Sequence, residues 1–146
     1  GIIGQSAGTS SILNYCANYG DVTAEESYAA GIAYSLYGSI NANYCYNKGN
    51  ISGADGAGAI APKAQYGTGD KANCCLNSGI ITSQNGVLYQ GSNNNTSCYY
   101  YNNTELYDVK NNSLVSSQDV INVLNGGTDN DFFSLDTNRI IVVVAE

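Results

Sequence analysis

Apolar residues fall in short runs along the first hundred positions, and each run is broken by Gly, Asn, Asp or Ser. Within this stretch nothing repeats with the 3.6-residue spacing of an amphipathic helix. The runs read instead as short β-strands bounded by tight turns. They also recur. Gly1-Ile2-Ile3-Gly4, Ala30-Gly31-Ile32-Ala33, Gly58-Ala59-Ile60-Ala61 and Gly86-Val87-Leu88-Tyr89 place Ile3, Ile32, Ile60 and Leu88 at steps of 29, 28 and 28 residues. Between them lies a second element, Asn-x-Cys-x-Asn, at Asn14–Asn18, Asn43–Asn47 and Asn73–Asn77. Its cysteines Cys16, Cys45 and Cys75 stand 29 and 30 residues apart, and a shortened fourth copy places Cys98 a further 23 residues on. Gly20, Gly49 and Gly79 follow two residues after each of the first three copies, and Val22, Ile51 and Ile81 two residues later again.

A unit of about 29 residues cannot bury its own apolar face, so the period predicts stacking of unit on unit. The expected fold class is all-β: a parallel β-helix or β-solenoid of about four turns, with a short helix-containing cap at its C-terminal end. Equivalent positions then lie about 4.8 Å apart along the stack. Ile3, Ile32, Ile60 and Leu88 become one interior ladder, and Val22, Ile51 and Ile81 another. Cys16, Cys45, Cys75 and Cys98 form a column of small interior side chains. Asn18, Asn47 and Asn77 form an amide ladder at one bend, and the glycines take the corners that need positive φ.

The repeat stops near Thr104, which divides the chain into repeats over 1–107 and a cap over 108–146. Ser116-Ser117-Gln118-Asp119 has the form of a capping box, Val120, Ile121, Val123 and Leu124 follow as one helical face, and Asn125-Gly126-Gly127 ends it. A helix over about 116–125 is expected to cover the open end of the stack, with Phe132, Phe133 and Leu135 filling the plug. The β-prone run at 139–145 is expected to pair with a sheet edge of the stack or of the cap.

The opening Gly1-Ile2-Ile3-Gly4 and the run Asn43-Tyr-Cys-Tyr-Asn-Lys-Gly-Asn-Ile51 resemble GLUG-type repeats of large bacterial surface and secreted proteins. The resemblance covers about residues 1–104. Only the first copy keeps glycine at the fourth position, with Ala33, Ala61 and Tyr89 in the others. The resemblance implies an exported setting, at the cell surface or wall or secreted, a role in adhesion or display, and no catalytic residues.

Composition narrows the chemistry. The net charge is −7 with only 5 Lys and Arg, so no basic patch is available to displace counterions from nucleic acid. No apolar run reaches the roughly 18 residues of a membrane helix. The chain lacks methionine and opens on Gly1, which is expected of a processed chain or of one segment of a larger protein. Five cysteines, Cys74 among them, show no C-x-x-C spacing, and without histidine no metal set or thiol–imidazole pair is expected. A vicinal Cys74–Cys75 disulfide and bridges between stacked cysteines stay open. Glu25-Glu26 lies in an apparent turn, and Asp129, Asp131 and Asp136 flank the aromatic plug. Neither group fixes two carboxylates across a cleft, and the spacing of Asp129 and Asp131 matches neither the EF-hand loop nor the Gly-Gly-x-Gly-x-Asp calcium repeat. No cofactor is expected.

Thirteen tyrosines stand against two Phe and no Trp. Tyr15, Tyr44, Tyr46, Tyr99, Tyr100 and Tyr101 lie beside the cysteine column. If the cysteines point inward, Tyr15 and Tyr44 point outward and stack, and Cys74 interrupts the stripe in the third unit. Such tyrosines either bind sugar faces or partner surfaces or simply support rung-to-rung stacking. Three functions follow: a rigid structural or adhesive scaffold, contacting glycans or host cell-surface proteins; a carbohydrate-binding module; and a fragment of a glycan-active β-helix enzyme.

Overall fold

A computed structural model describes residues 2–6, 10–35, 40–61, 71–83, 95–126 and 132–144. The described residues are all-β apart from one short helix, Ser117–Leu124. Three parallel sheets dominate. The first orders Ser11–Asn14, Ile40–Asn43, Lys71–Asn73 and Asn95–Thr96; the second Ala17–Asn18, Tyr46–Asn47, Leu76–Asn77 and Tyr99–Asn102; the third Val22–Ala24, Ile51–Gly53 and Ile81–Ser83. Two parallel pairs complete the repeats, Tyr28–Ala30 with Gly56–Gly58 and Ile3–Ser6 with Ala33–Ser35. Every strand therefore neighbours its equivalent one repeat away. Asn14, Asn43, Asn73 and Thr96 share one register position, as do Ala17, Tyr46, Leu76 and Tyr99, and as do Val22, Ile51 and Ile81.

Apart from Asn18, Asn47 and Asn77, the side chains turned inward from these sheets are small or aliphatic. Ile32, Ile60, Ile51 and Ile81 meet Cys45, Cys75 and Cys98 in one buried cluster, with Cys16 and Val22 packed on its margin. One aliphatic ladder is displaced from its expected register. Ile3 pairs with Ala33, not Ile32, because a bulge lies between Ile3 and Ser6. Leu88 lies outside the described residues.

The corners also differ from expectation. Gly20, Gly49 and Gly79 do not adopt positive φ. The left-handed corner is Tyr15, Tyr44, Cys74 and Ser97, at φ of 54°, 55°, 51° and 51°, directly before each ladder cysteine. None of these residues is β-branched, so each reaches the left-handed region at a cost of about 1–2 kcal/mol. Glycine is required at 49 and 79 for a different reason. A Cβ on Gly49 would collide with the Gly20 carbonyl oxygen, and one on Gly79 with that of Gly49. The glycines permit close approach between rungs rather than sharp turning.

After Asn102 the second sheet changes character. Tyr99–Asn102, Glu105–Asp108 and Ser113–Val115 form an antiparallel meander that extends its edge. The helix follows, and Phe133–Leu135 pairs antiparallel with Ile141–Val143, so the β-prone C-terminal run finds its partner within the cap. Ser116 occupies the N-cap position but its side chain makes no capping bond. Its carbonyl accepts from Asp119 and Val120 N–H, and the neighbouring Ser117 hydroxyl donates to the Arg139 carbonyl, tying the helix start to the last turn. Val120, Ile121 and Leu124 are buried, whereas Val123, expected on the same face, is exposed.

Of the cap, only the start closes the end of the last repeat, where Val109 packs on the inner cluster and its N–H donates to the Cys98 carbonyl. The helix and terminal hairpin lie along the flank. Phe132 meets Tyr15 of the first repeat edge-on, Phe133 meets Tyr46 of the second, and Ile141 N–H donates to the Tyr101 hydroxyl of the fourth, at 2.9 Å. The physical reason is the outward face of the second sheet. Ala17, Tyr46, Leu76 and Tyr99 occupy one position on successive strands and present a strip that water would meet unless something covered it. Helix, aromatics and terminal hairpin cover it, and Tyr46, Leu76, Phe133, Leu124 and Ile141 form a second buried cluster.

Candidate functional site

Polar chemistry concentrates along the second sheet and its bends. On the inner side the asparagines form the expected ladder. Asn18 Nδ2 donates to Asn47 Oδ1, and Asn47 Nδ2 to Asn77 Oδ1, each at 2.8 Å. Each Nδ2 also donates to the carbonyl two residues on, at Gly20, Gly49 and Gly79. Asn47 and Asn77 are buried, with both carboxamide groups satisfied by the rungs themselves, which is what makes a buried amide tolerable. A second, exposed relay runs along the turn that follows. Asn50 N–H donates to the Asp21 carboxylate, and Ile80 N–H to Asn50 Oδ1.

The cysteines are all free thiols, with neither the vicinal nor a rung-to-rung disulfide formed. Cys16, Cys45, Cys75 and Cys98 each donate to the carbonyl two residues earlier, Asn14, Asn43, Asn73 and Thr96 respectively. The Cys75 sulfur also accepts the Cys45 N–H. Burial pushes the Cys75 thiol well above its ordinary range and raises Cys16 and Cys74, while hydrogen bonding from Cys75 lowers Cys45. A protonated, inward thiol is a poor nucleophile and a poor metal ligand. Among the described residues no group of three or more Cys, Asp or Glu is arranged to hold a metal ion.

The six candidate tyrosines divide. Tyr15 and Tyr44 stack outward as expected, ring centroids 5.0 Å apart and 9° from parallel, with Tyr15 47% exposed. Tyr100 is half-buried and stacks on Tyr107, its hydroxyl donating to Asn112. Tyr46, Tyr99 and Tyr101 are buried at 2%, 8% and 8% exposure, so the expected ligand face loses half its members. Their rings belong to the cluster beneath the cap, and burial raises the pKa of all three. Cys74 occupies the third position of the Tyr15–Tyr44 column and is buried by the same cap. No signal in the local pattern marks these rings as covered, because the covering helix and hairpin, Ser117–Leu124 and Phe133–Val143, follow the repeats in the chain.

Glu25 and Glu26 are exposed on a bend. Asp136 accepts N–H bonds from Asn138 and Ile140 and so builds the turn before the last strand. Asp129 and Asp131 lie outside the described residues. An open groove of about 550 Å³ runs between meander and cap, lined by Tyr101, Glu105, Leu114, Ser117 and Arg139 among others. The Arg139 guanidinium there donates to Gln118 Oε1. Among the described residues no helix is long and apolar enough to cross a membrane.

Comparison with protein-family models, with curated proteins and with solved structures finds no match for this chain.

Proposed function

We propose that the parallel sheets are the faces of one β-solenoid, and that the chain is a non-catalytic, GLUG-type repeat module of an extracellular surface protein. In this reading it is a rigid structural and adhesive scaffold and one part of a longer protein. The observation that carries it is the Asn18–Asn47–Asn77 ladder together with the thiol column. The repeated polar side chains are spent on one another, rung to rung, and are not offered to a substrate. Immunolabelling of intact source cells with antibody against the chain tests the setting. Surface labelling is expected, and labelling only after permeabilisation would end the extracellular reading.

A second reading, carbohydrate binding, is favoured by one observation, the half-exposed Tyr15 ring lying flat on Tyr44. Flat aromatic faces suit the apolar faces of sugar rings. A glycan array separates the two. Binding that Tyr15→Ala abolishes supports the module; silence across the array leaves the scaffold.

A further inference from the structure

The first repeat is built like the others but is incompletely satisfied, and what it lacks is specific. Each interior asparagine of the ladder accepts on Oδ1 from the repeat before it, as Asn47 does from Asn18 and Asn77 from Asn47. No described group donates to Asn18 Oδ1, while its Nδ2 is already committed to Asn47 and to the Gly20 carbonyl. Main-chain donors repeat the pattern. Lys48 N–H donates to the Asn18 carbonyl and Ser78 N–H to that of Asn47, but no described group accepts from the equivalent Tyr19 N–H. Asn50 N–H and Ile80 N–H reach a side-chain oxygen one repeat back, and the equivalent Asp21 N–H reaches none among the described residues.

Gly20 supplies an independent sign. At Gly49 and Gly79 a Cβ would strike the carbonyl of the preceding repeat, yet at Gly20 a Cβ would meet nothing within 4 Å. Nothing in the first repeat's own packing demands glycine there. A rung stacked before it would demand one. Burial agrees, since Cys16 is half-exposed where Cys45 and Cys75 are 0% and 1% exposed.

We propose that the edge formed by Ala17–Asp21 is a docking surface for a further parallel β-rung of defined chemistry, whose Asn-x-Gly-Asn/Asp segment aligns with Asn18, Tyr19, Gly20 and Asp21. The incoming asparagine donates Nδ2 to Asn18 Oδ1, its own carbonyl accepts Tyr19 N–H, and the Asn or Asp oxygen after its glycine accepts Asp21 N–H. Parallel β-addition supplies the main-chain bonds, and the side-chain ladder sets the register. A second copy of the chain meeting this edge head-to-head fits poorly. It would set one Asn18 Oδ1 acceptor against another, with both amide hydrogens already used.

This inference rests on the stacked-coil reading but is tested apart from it. The probe is a synthetic peptide with the chain's own Ile40–Gly53 sequence, titrated into isotope-labelled full chain. Docking predicts slowed hydrogen exchange at Tyr19 and Asp21 N–H, at least tenfold, and a shift of the Asn18 side-chain amide resonances. A peptide with alanine in place of its Asn47 should fail to produce either. Gly20→Ala should leave the melting temperature of the free chain unchanged and abolish docking, whereas Gly49→Ala should unfold the stack itself. If Gly49→Ala is harmless, the coil reading fails. If Gly49→Ala unfolds the chain and the wild-type peptide protects nothing at millimolar concentration, only the docking proposal fails. Self-association through this edge without peptide, abolished by Gly20→Ala, would also overturn the parallel rung.

Discussion

The repeats and the cap use asparagine and aromatic residues in opposite ways. In the repeats, Asn47 binds its own equivalents, so one interaction is copied along the stack and the side chain is buried completely. In the cap, Asn125 acts once. Its carboxamide donates to the Phe133 carbonyl and accepts the Phe133 N–H, both at 2.9 Å, and so serves as a one-residue strand that clamps helix end to hairpin. Aromatic rings are nearly absent from the inner core of small and aliphatic side chains but dominate the cluster beneath the cap. A repeating core demands side chains that fit against copies of themselves. A docked cap demands large rings that fill one irregular gap. Order by repetition and order by docking should therefore fail differently.

The largest effect is expected from breaking the repetition. Asn47→Ala removes three side-chain hydrogen bonds and takes one partner each from Asn18, Asn77 and the Gly49 carbonyl. The expected loss is about 3–5 kcal/mol from several buried groups left one partner short, and it should lower a single urea transition for the whole stack. A loss under about 1 kcal/mol would mean that the ladder is decorative. Phe133→Ala strikes the other region. Emptying a fully buried aromatic site costs about 3 kcal/mol, but here the damage should be local. Hydrogen exchange should quicken over 133–143 and at Ile141 N–H, while protection across Tyr46–Asn47 and Leu76–Asn77 persists. Equal loss in both would show one cooperative unit.

A smaller effect separates the regions by pH. Burial raises Tyr46, Tyr99 and Tyr101 above their ordinary value of 10.0, so the folded chain holds these protons more tightly than the unfolded chain. Their contribution is fully present below that value and drains away as pH climbs above it. Urea midpoints should thus begin to fall once pH passes the ordinary thiol value of 9.0, where the raised Cys75, Cys16 and Cys74 act with the same sign, and fall further above 10.0 as the tyrosines join them. Phenolate absorbance of these rings should appear together with the loss of Phe133–Ile141 protection, and a midpoint that rises above pH 10 would contradict the sign.

How far these features were readable in the sequence follows the same division. The spacing of Asn18, Asn47 and Asn77 was enough to anticipate a hydrogen-bonded ladder, because parallel strands one repeat apart must place identical side chains side by side. The inward thiols followed from alternation in the same way. Tyr46 shows where this ends. Alternation correctly turns its ring away from Cys45, yet outward on one strand is not the same as exposed. What lies over Tyr46 is decided by Phe133, far along the chain, whose docking site no local pattern encodes. The cap's placement was missed for that reason. Its helix and final strand were legible from local pattern, but the surface they cover was not. The corner was missed because left-handed φ is usually sought at glycine, and here Tyr15, Tyr44, Cys74 and Ser97 accept it instead.

That corner leaves an unusual kind of freedom. Since the backbone bends the same way under an aromatic, a thiol and a hydroxyl, the turn between the first and second sheets does not depend on what the corner residue carries. The residue types barred there are those branched at Cβ, for which the left-handed region is closed. Proline, whose ring fixes φ at about −65°, is barred as well. What may stand in the row from residue 15 to residue 97 is therefore set by what covers each position, open water beside Tyr15 and the cap over Cys74, and not by the bend itself.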